Sequence, residues 1–253
     1  MIRTRVIPVL LLRGKGLVKT VKFANPKYIG DPINSVRIFN EKEVDELIFL
    51  DITATPQCRG PDFELLADIA GEAFMPMAYG GGVSTMEDIA KVFSLGFEKV
   101  VLNTAVYDQP DLLRAAIAVY GAQSIVGCID VQTSIFGQYL LVSGSGAVKR
   151  KTLLKDHLAA LTKLGVGEIM INNVSKDGTM SGYDIALIKT VTSAVSVPVI
   201  ACGGASGVED FARAVKEGGA SAVAAGSLFV FMGPHRAVLI NYPDRCILEA
   251  HLE

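Results

Sequence analysis

The chain has 253 residues, 50% hydrophobic and 20% charged, with a formal net charge of −2. This balance excludes a strongly basic nucleic-acid binder, because the run Lys149-Arg150-Lys151 is too short to form a binding stripe. No apolar run approaches the ~18 residues of a membrane span, so no membrane partner is expected, and the apolar content suffices for a large core.

Taken in order, the chain opens with Arg3 and Arg5 before a short apolar run, with Lys15 and Lys19 close behind. That spacing fits a first strand better than a leader segment. Eight continuous apolar runs follow one another: Arg5–Leu12, Glu46–Ile52, Met75–Tyr79, Lys99–Leu102, Ile125–Asp130, Glu168–Val174, Val197–Cys202 and Ala220–Ala225. Unbroken rather than alternating hydrophobicity marks parallel strands covered on both faces. Between them lie amphipathic helices, expected at Asp62–Ala73, Thr85–Leu95, Pro110–Tyr120, Leu153–Leu164, Asp184–Ala194 and Gly207–Glu217. Gly14–Asp31 is read as a long loop carrying Lys15, Lys19, Lys22 and Lys27, of the kind that often forms a mobile lid.

Eight βα units in a chain of this length predict an α/β fold, a (β/α)8 TIM barrel spanning 1–253 as one domain. The alternative, an open doubly wound sheet, lacks its glycine fingerprint after the first strand. An internal repeat favours the barrel. Glu46–Asp51 aligns with Glu168–Asn173, Tyr79–Val83 with Ala201–Ala205, and Val101–Thr104 with Ala224–Ser227. The repeat divides the chain into half-barrels at about 1–120 and 121–253. It also lays Leu11 on Asp130.

Several groups carry potential chemistry. Gly80–Gly82 and Gly203–Gly204 stand between a strand and a helix, where backbone N–H groups can receive an anion. Asn103 and Thr104, and Gly226 and Ser227, follow the next strand of each half and can complete each cradle. Two matching cradles suggest a ligand with a phosphate at each end; tight turns without a ligand are the alternative. Asp51 and Asp130 close strands at the end where barrel chemistry occurs, as acid/base groups or as turn-stabilising carboxylates. Asp177, before Gly178, either orients the adjacent phosphate loop, acts in catalysis or forms a turn. Lys19 is an anion clamp or a solvated lysine.

At the opposite strand ends stand Arg5, Glu46, Lys99 and Glu168, two of each sign. They can meet across the lower mouth, as a static salt-bridged layer or as a gate to an axial passage. The three histidines do not cluster, so no metal is expected. The four cysteines, Cys58, Cys128, Cys202 and Cys246, show no CxxC spacing and are expected to be free thiols in a reducing, cytoplasmic setting.

The ordered motifs RVIPVLLLRGKGLVKT, DELIFLDITA, YGGGV, KVVLNTAV, IDV, DGTMSGYD, IACGGA and AAGS resemble HisF, the cyclase subunit family of imidazole glycerol phosphate synthase. The resemblance covers nearly the whole chain. It implies a barrel that binds a bis-phosphorylated small molecule on its upper face and needs no cofactor. It also implies a HisH-type glutaminase docked on the lower, N-terminal face, with ammonia passing between them. The family's gate matches Arg5, Glu46, Lys99 and Glu168. Its phosphate loops match Gly82, Asn103, Thr104, Asp177, Gly178, Gly204 and Ser227. Of the family's two acid/base aspartates, one matches Asp130; the other falls on Leu11, which cannot carry a proton. The C-terminal FVFMGPHRAVLINYP resembles a paralog subgroup. Members of that subgroup work with a glutaminase and a third amidotransferase protein to form acetamidino groups on surface-glycan sugars, including lipopolysaccharide. An active histidine-pathway cyclase and a stand-alone phosphosugar isomerase are the competing expectations.

Overall fold

The apolar runs become eight parallel strands in a computed structural model that describes residues 3–252. They are β1 (Arg5–Arg13), β2 (Leu47–Asp51), β3 (Met77–Gly80), β4 (Lys99–Leu102), β5 (Ile125–Thr133), β6 (Glu168–Asn173), β7 (Val199–Cys202) and β8 (Ala222–Ala225). Each pairs in parallel with the next, and β8 pairs with β1. The sheet therefore closes, which rules out the open doubly wound alternative.

Both faces of each strand are buried, for two different reasons. One alternate set, including Leu10, Phe49, Tyr79, Leu102 and Ile171, packs outward under the helices. The other, including Ile7, Val9, Leu11, Met170 and Ile200, fills the barrel. Small interior residues, Ala78, Ala222 and Ala224, offset the larger ones and let the layers interlock.

The helices form close to their expected positions because their ends carry explicit start signals. Asp62, Thr85 and Asp184 cap Phe63–Glu72, Met86–Ser94 and Ile185–Thr192, each accepting from a backbone N–H three residues on. Thr85 and Asp88 form a reciprocal capping box. Two of the strands that begin later than expected, β3 at Met77 and β7 at Val199, do so just after a proline. Pro76 and Pro198 have no N–H for the ladder. Their carbonyls instead accept from Leu47 and Ile169, at equivalent places in the two halves.

One expectation is corrected. Gly14–Asp31 is not an irregular loop: Gly16–Val21 and Ala24–Gly30 form an antiparallel hairpin that continues β1. Leu17 and Val18 are buried in it, and that apolar anchorage holds the segment against the barrel. The second half has the same device. β5 runs past Asp130 to Thr133 and pairs with Tyr139–Ser143, which pairs with Val148–Lys149. Each half-barrel thus raises a hairpin over the C-terminal ends of the strands.

No helix among the described residues is long and apolar enough to cross a membrane.

Candidate functional site

The C-terminal ends of the strands surround a cavity of about 150 Å³. Its lining brings together Leu11, Lys19, Asp51, Gly82, Asn103, Thr104, Asp130, Asp177 and Gly226, all singled out in the sequence. Gly178, Gly204 and Ser227 line an adjoining recess with Asp177. The two halves therefore converge on one mouth, as the repeat implies.

Asp130 sits at the polar side of this cavity and is 8% exposed. Its carboxylate accepts from Asn172 Nδ2 at 3.0 Å and from Asn103 Nδ2 at 3.1 Å. Neither donor is charged, and no cation pairs with Asp130 among the described residues. Burial pushes its pKa up to about 7; the Asn172 hydrogen bond opposes the shift and Asp177 adds to it. Such a carboxyl can exchange a proton near neutrality. Facing it in the repeat, Leu11 is 8% exposed and belongs to the apolar interior. At these two repeat positions there is thus one carboxyl where a symmetric design would have two.

Asp51 has a different environment. Its Oδ1 accepts from the N–H and hydroxyl of Thr53 and from Ala54 N–H, at 2.8–3.0 Å. Its Oδ2 pairs with Arg59 at 2.7 Å. The equivalent Asn173 makes the same turn without a charge, accepting from Ser175 N–H at 2.9 Å. These are the contacts of a turn-stabilising carboxylate on a residue that also lines the cavity.

Lys19 is 4% exposed, so it is no solvated lysine. Its ammonium lies 3.0–3.1 Å from both oxygens of Asp177 and donates to Thr20 O at 3.0 Å. The pair ties the first hairpin to the loop after β6, and Lys22 N–H adds a bond to Asp177 O at 2.9 Å.

The cradles have partly structural causes. Gly81 and Gly203 adopt positive φ (116° and 88°). A Cβ there would lie 2.4 Å from Asp51 O and 2.7 Å from Asn173 O. The tight strand-to-helix turn requires glycine at both positions with or without a ligand. Thr104 and Ser227 each open a short helix one residue after β4 and β8. Thr104 Oγ1 accepts from Gly144 N–H at 3.2 Å, which ties the second hairpin to the first cradle.

At the other end of the barrel, Arg5, Glu46, Lys99 and Glu168 form a closed ring of alternating charge. Arg5 bonds to Glu46 and to Glu168. Lys99 lies 3.1 Å from Glu46 and 3.0 Å from Glu168. The carboxylate side chains are 3% and 7% exposed, whereas Arg5 and Lys99 are 30% and 18% exposed. Burial alone would lower the Arg5 pKa, but Glu168 and then Glu46 outweigh it and hold the guanidinium above its ordinary range. The interior above this ring is apolar up to Cys128 and Cys202.

Arg236 was not singled out from the sequence. It lies within the distinctive C-terminal stretch, and its Nη2 donates to Ser227 Oγ at 3.2 Å. Only its place in that stretch gave a signal. Among the described residues there is no group of three or more His, Cys, Asp or Glu that could hold a metal.

Comparisons with known proteins agree with this architecture. Residues 5–233 match the family model described as histidine biosynthesis protein. The chain is 52% identical over 244 residues to a provisionally named imidazole glycerol phosphate synthase subunit hisF2 of Pseudomonas aeruginosa, covering 96% of this chain and 97% of that one. It is 46% identical over 245 residues to a provisionally named hisF3 subunit of Vibrio vulnificus, covering 96% and 94%. Against imidazole glycerol phosphate synthase subunit HisF of Hyphomonas neptunium it is 42% identical over 231 residues, covering 91% of each. The chain belongs to the histidine biosynthesis protein family, and within it to the HisF proteins.

Proposed function

We propose that this chain is the synthase-side subunit of a glutamine-dependent amidotransferase complex that has given up histidine-pathway cyclisation. A HisH-type glutaminase docks on the N-terminal barrel face and releases ammonia at the ring of Arg5, Glu46, Lys99 and Glu168. Ammonia then crosses the barrel to the upper cavity, where Asp130 positions it or an adjoining loop. Gly82, Asn103 and Thr104 on one side, with Asp177, Gly178, Gly204, Gly226 and Ser227 on the other, receive a phosphorylated small molecule. The acceptor chemistry is acetamidino modification of a surface-glycan sugar, carried out with a third amidotransferase protein in the cytoplasm.

The observation that carries this reading is the pairing of an intact charge ring with Leu11 in place of a second carboxylate. Losing one member of an acid/base pair costs on the order of 10²–10⁴-fold. The acceptor assignment rests on the resemblance of the C-terminal stretch to the paralog subgroup.

The test is complementation of a histidine auxotroph lacking the cyclase subunit, alongside co-purification with a HisH-type glutaminase. The expected outcome is no growth, together with a stable complex that stimulates glutamine hydrolysis. Growth at the normal rate would instead identify an active cyclase, and absence of any complex would favour a stand-alone phosphosugar isomerase.

A further inference from the structure

The two cradles differ in how their surrounding cations are engaged. Beside the first, Arg59 is held by Asp51 at 2.7 Å, and Arg150 by Asp108 at 2.6 and 2.9 Å. Beside the second, Lys19 is held by Asp177. Arg236 and Lys27, however, have no carboxylate partner among the described residues.

Both cations contact the same aromatic ring. Arg236 lies over the Phe231 ring at 4.7 Å and Lys27 over the same ring at 5.2 Å. Lys27 Nζ also donates to Arg236 O at 3.2 Å. The turn Gly233–Arg236, closed by Arg236 N–H to Gly233 O at 3.0 Å, carries the guanidinium back toward the barrel. There it donates to Ser227 Oγ with one of its five N–H groups, beside the recess lined by Gly178 and Gly204. A guanidinium without a carboxylate partner, held against Ser227 Oγ, favours an anion at that hydroxyl. A guanidinium fork suits a phosphate oxygen pair.

We propose that Arg236 clamps a phosphate dianion at Ser227 and so fixes which end of an anionic ligand lies over the second half-barrel. This rests on the reading of the Gly204–Ser227 recess as an anion cradle. It assigns the distinctive C-terminal stretch a specificity role. The second cradle becomes the tight site and the first, whose cations are already neutralised, the weak one.

The test titrates inorganic phosphate into the full chain by calorimetry at low ionic strength, with crystals soaked in phosphate to locate each anion. The wild type is expected to show an anion against Ser227 and Arg236, bound more tightly than any at Thr104. Arg236→Met should weaken that site at least 10-fold and leave the Thr104 site unchanged. Arg236→Lys, which keeps the charge but not the fork, should weaken it about 3-fold. Should Arg236→Met fail to fold, Arg236→Lys reports the same contact through its smaller loss. An anion at Ser227 with equal affinity in every variant would overturn the role of Arg236 and leave the cradle standing. No anion at either cradle in the wild type would overturn both.

Discussion

Leu11 and Asp130 occupy the same register position in the two half-barrels. Leu11 stands opposite Val18 in its hairpin and beside Leu50 on β2. Asp130 stands opposite Val142 and beside Asn172 on β6. The difference is thus a pair: Asp130 has an amide donor on the next strand, and Leu11 has a leucine. Restoring a carboxylate alone, as Leu11→Asp, buries a charge without a donor from β2. It should destabilise the chain by about 2–4 kcal/mol at pH 8. Adding Leu50→Asn supplies the donor that Asn172 gives Asp130 and should recover about 1 kcal/mol or more. Urea unfolding of the wild type, both single variants and the double variant measures this coupling. An additive cycle would mean that the two strand ends do not act together.

The raised pKa of Asp130 gives a pH dependence of definite sign. Its folded value, about 7, lies above the ordinary value of 3.8. Between these limits the folded state holds a proton that the unfolded state has lost, so stability falls as pH rises from about 4 to about 7. Asp130→Asn does not titrate. The stability of Asp130→Asn relative to the wild type should therefore rise across that window, by up to about 4 kcal/mol, and level off above it. Denaturant melts at pH 4.5, 6 and 8 test the sign; a flat difference would place the Asp130 carboxyl in the ordinary range.

Thiol reactivity should divide the four cysteines evenly. Cys58 and Cys246 are exposed, whereas Cys128 and Cys202 are buried in the barrel interior. Burial first, then the Asp130 charge, pushes the Cys128 thiol well above its ordinary range. Burial does the same for Cys202, with Asp177 adding to it. Two thiols should therefore react with Ellman's reagent in the native state at pH 8, and all four in denaturant. Fast labelling of Cys128 or Cys202 would require the barrel interior to open readily.

Much of this architecture was legible because burial on both strand faces leaves unbroken apolar runs, and helix caps leave Asp and Thr at fixed offsets. The convergence of Asp130, Asn103 and Asp177 followed from their places at strand ends, and the ring followed from four charges at strand starts. The hairpins were less legible. Leu17, Val18 and Leu141 are few apolar residues among glycines and lysines, and their burial depends on contact with the barrel. The burial of Lys19 was also hidden, because its partner Asp177 lies 158 residues away. Asp51 looked like Asp130 in sequence; Arg59 and the Thr53 turn, which separate them, are contacts that strand pattern does not encode.

The ring at the lower mouth allows stability and passage to be separated. Removing one member breaks a buried, multiply bonded set. Arg5→Met leaves Glu46 and Glu168 sharing only Lys99 and should cost about 3–5 kcal/mol. Lys99→Met leaves Arg5 joining both carboxylates and should cost less. Replacing all four with apolar residues of similar volume removes the desolvation cost as well as the attraction. The quadruple variant Arg5→Met, Glu46→Leu, Lys99→Met, Glu168→Leu should therefore unfold within about 2 kcal/mol of the wild type. If the ring also admits ammonia, this stable variant should leak glutamine-derived ammonium into bulk solvent when mixed with a HisH-type glutaminase. A quadruple variant that stays folded and still retains the ammonia would show the ring to be a structural plug alone.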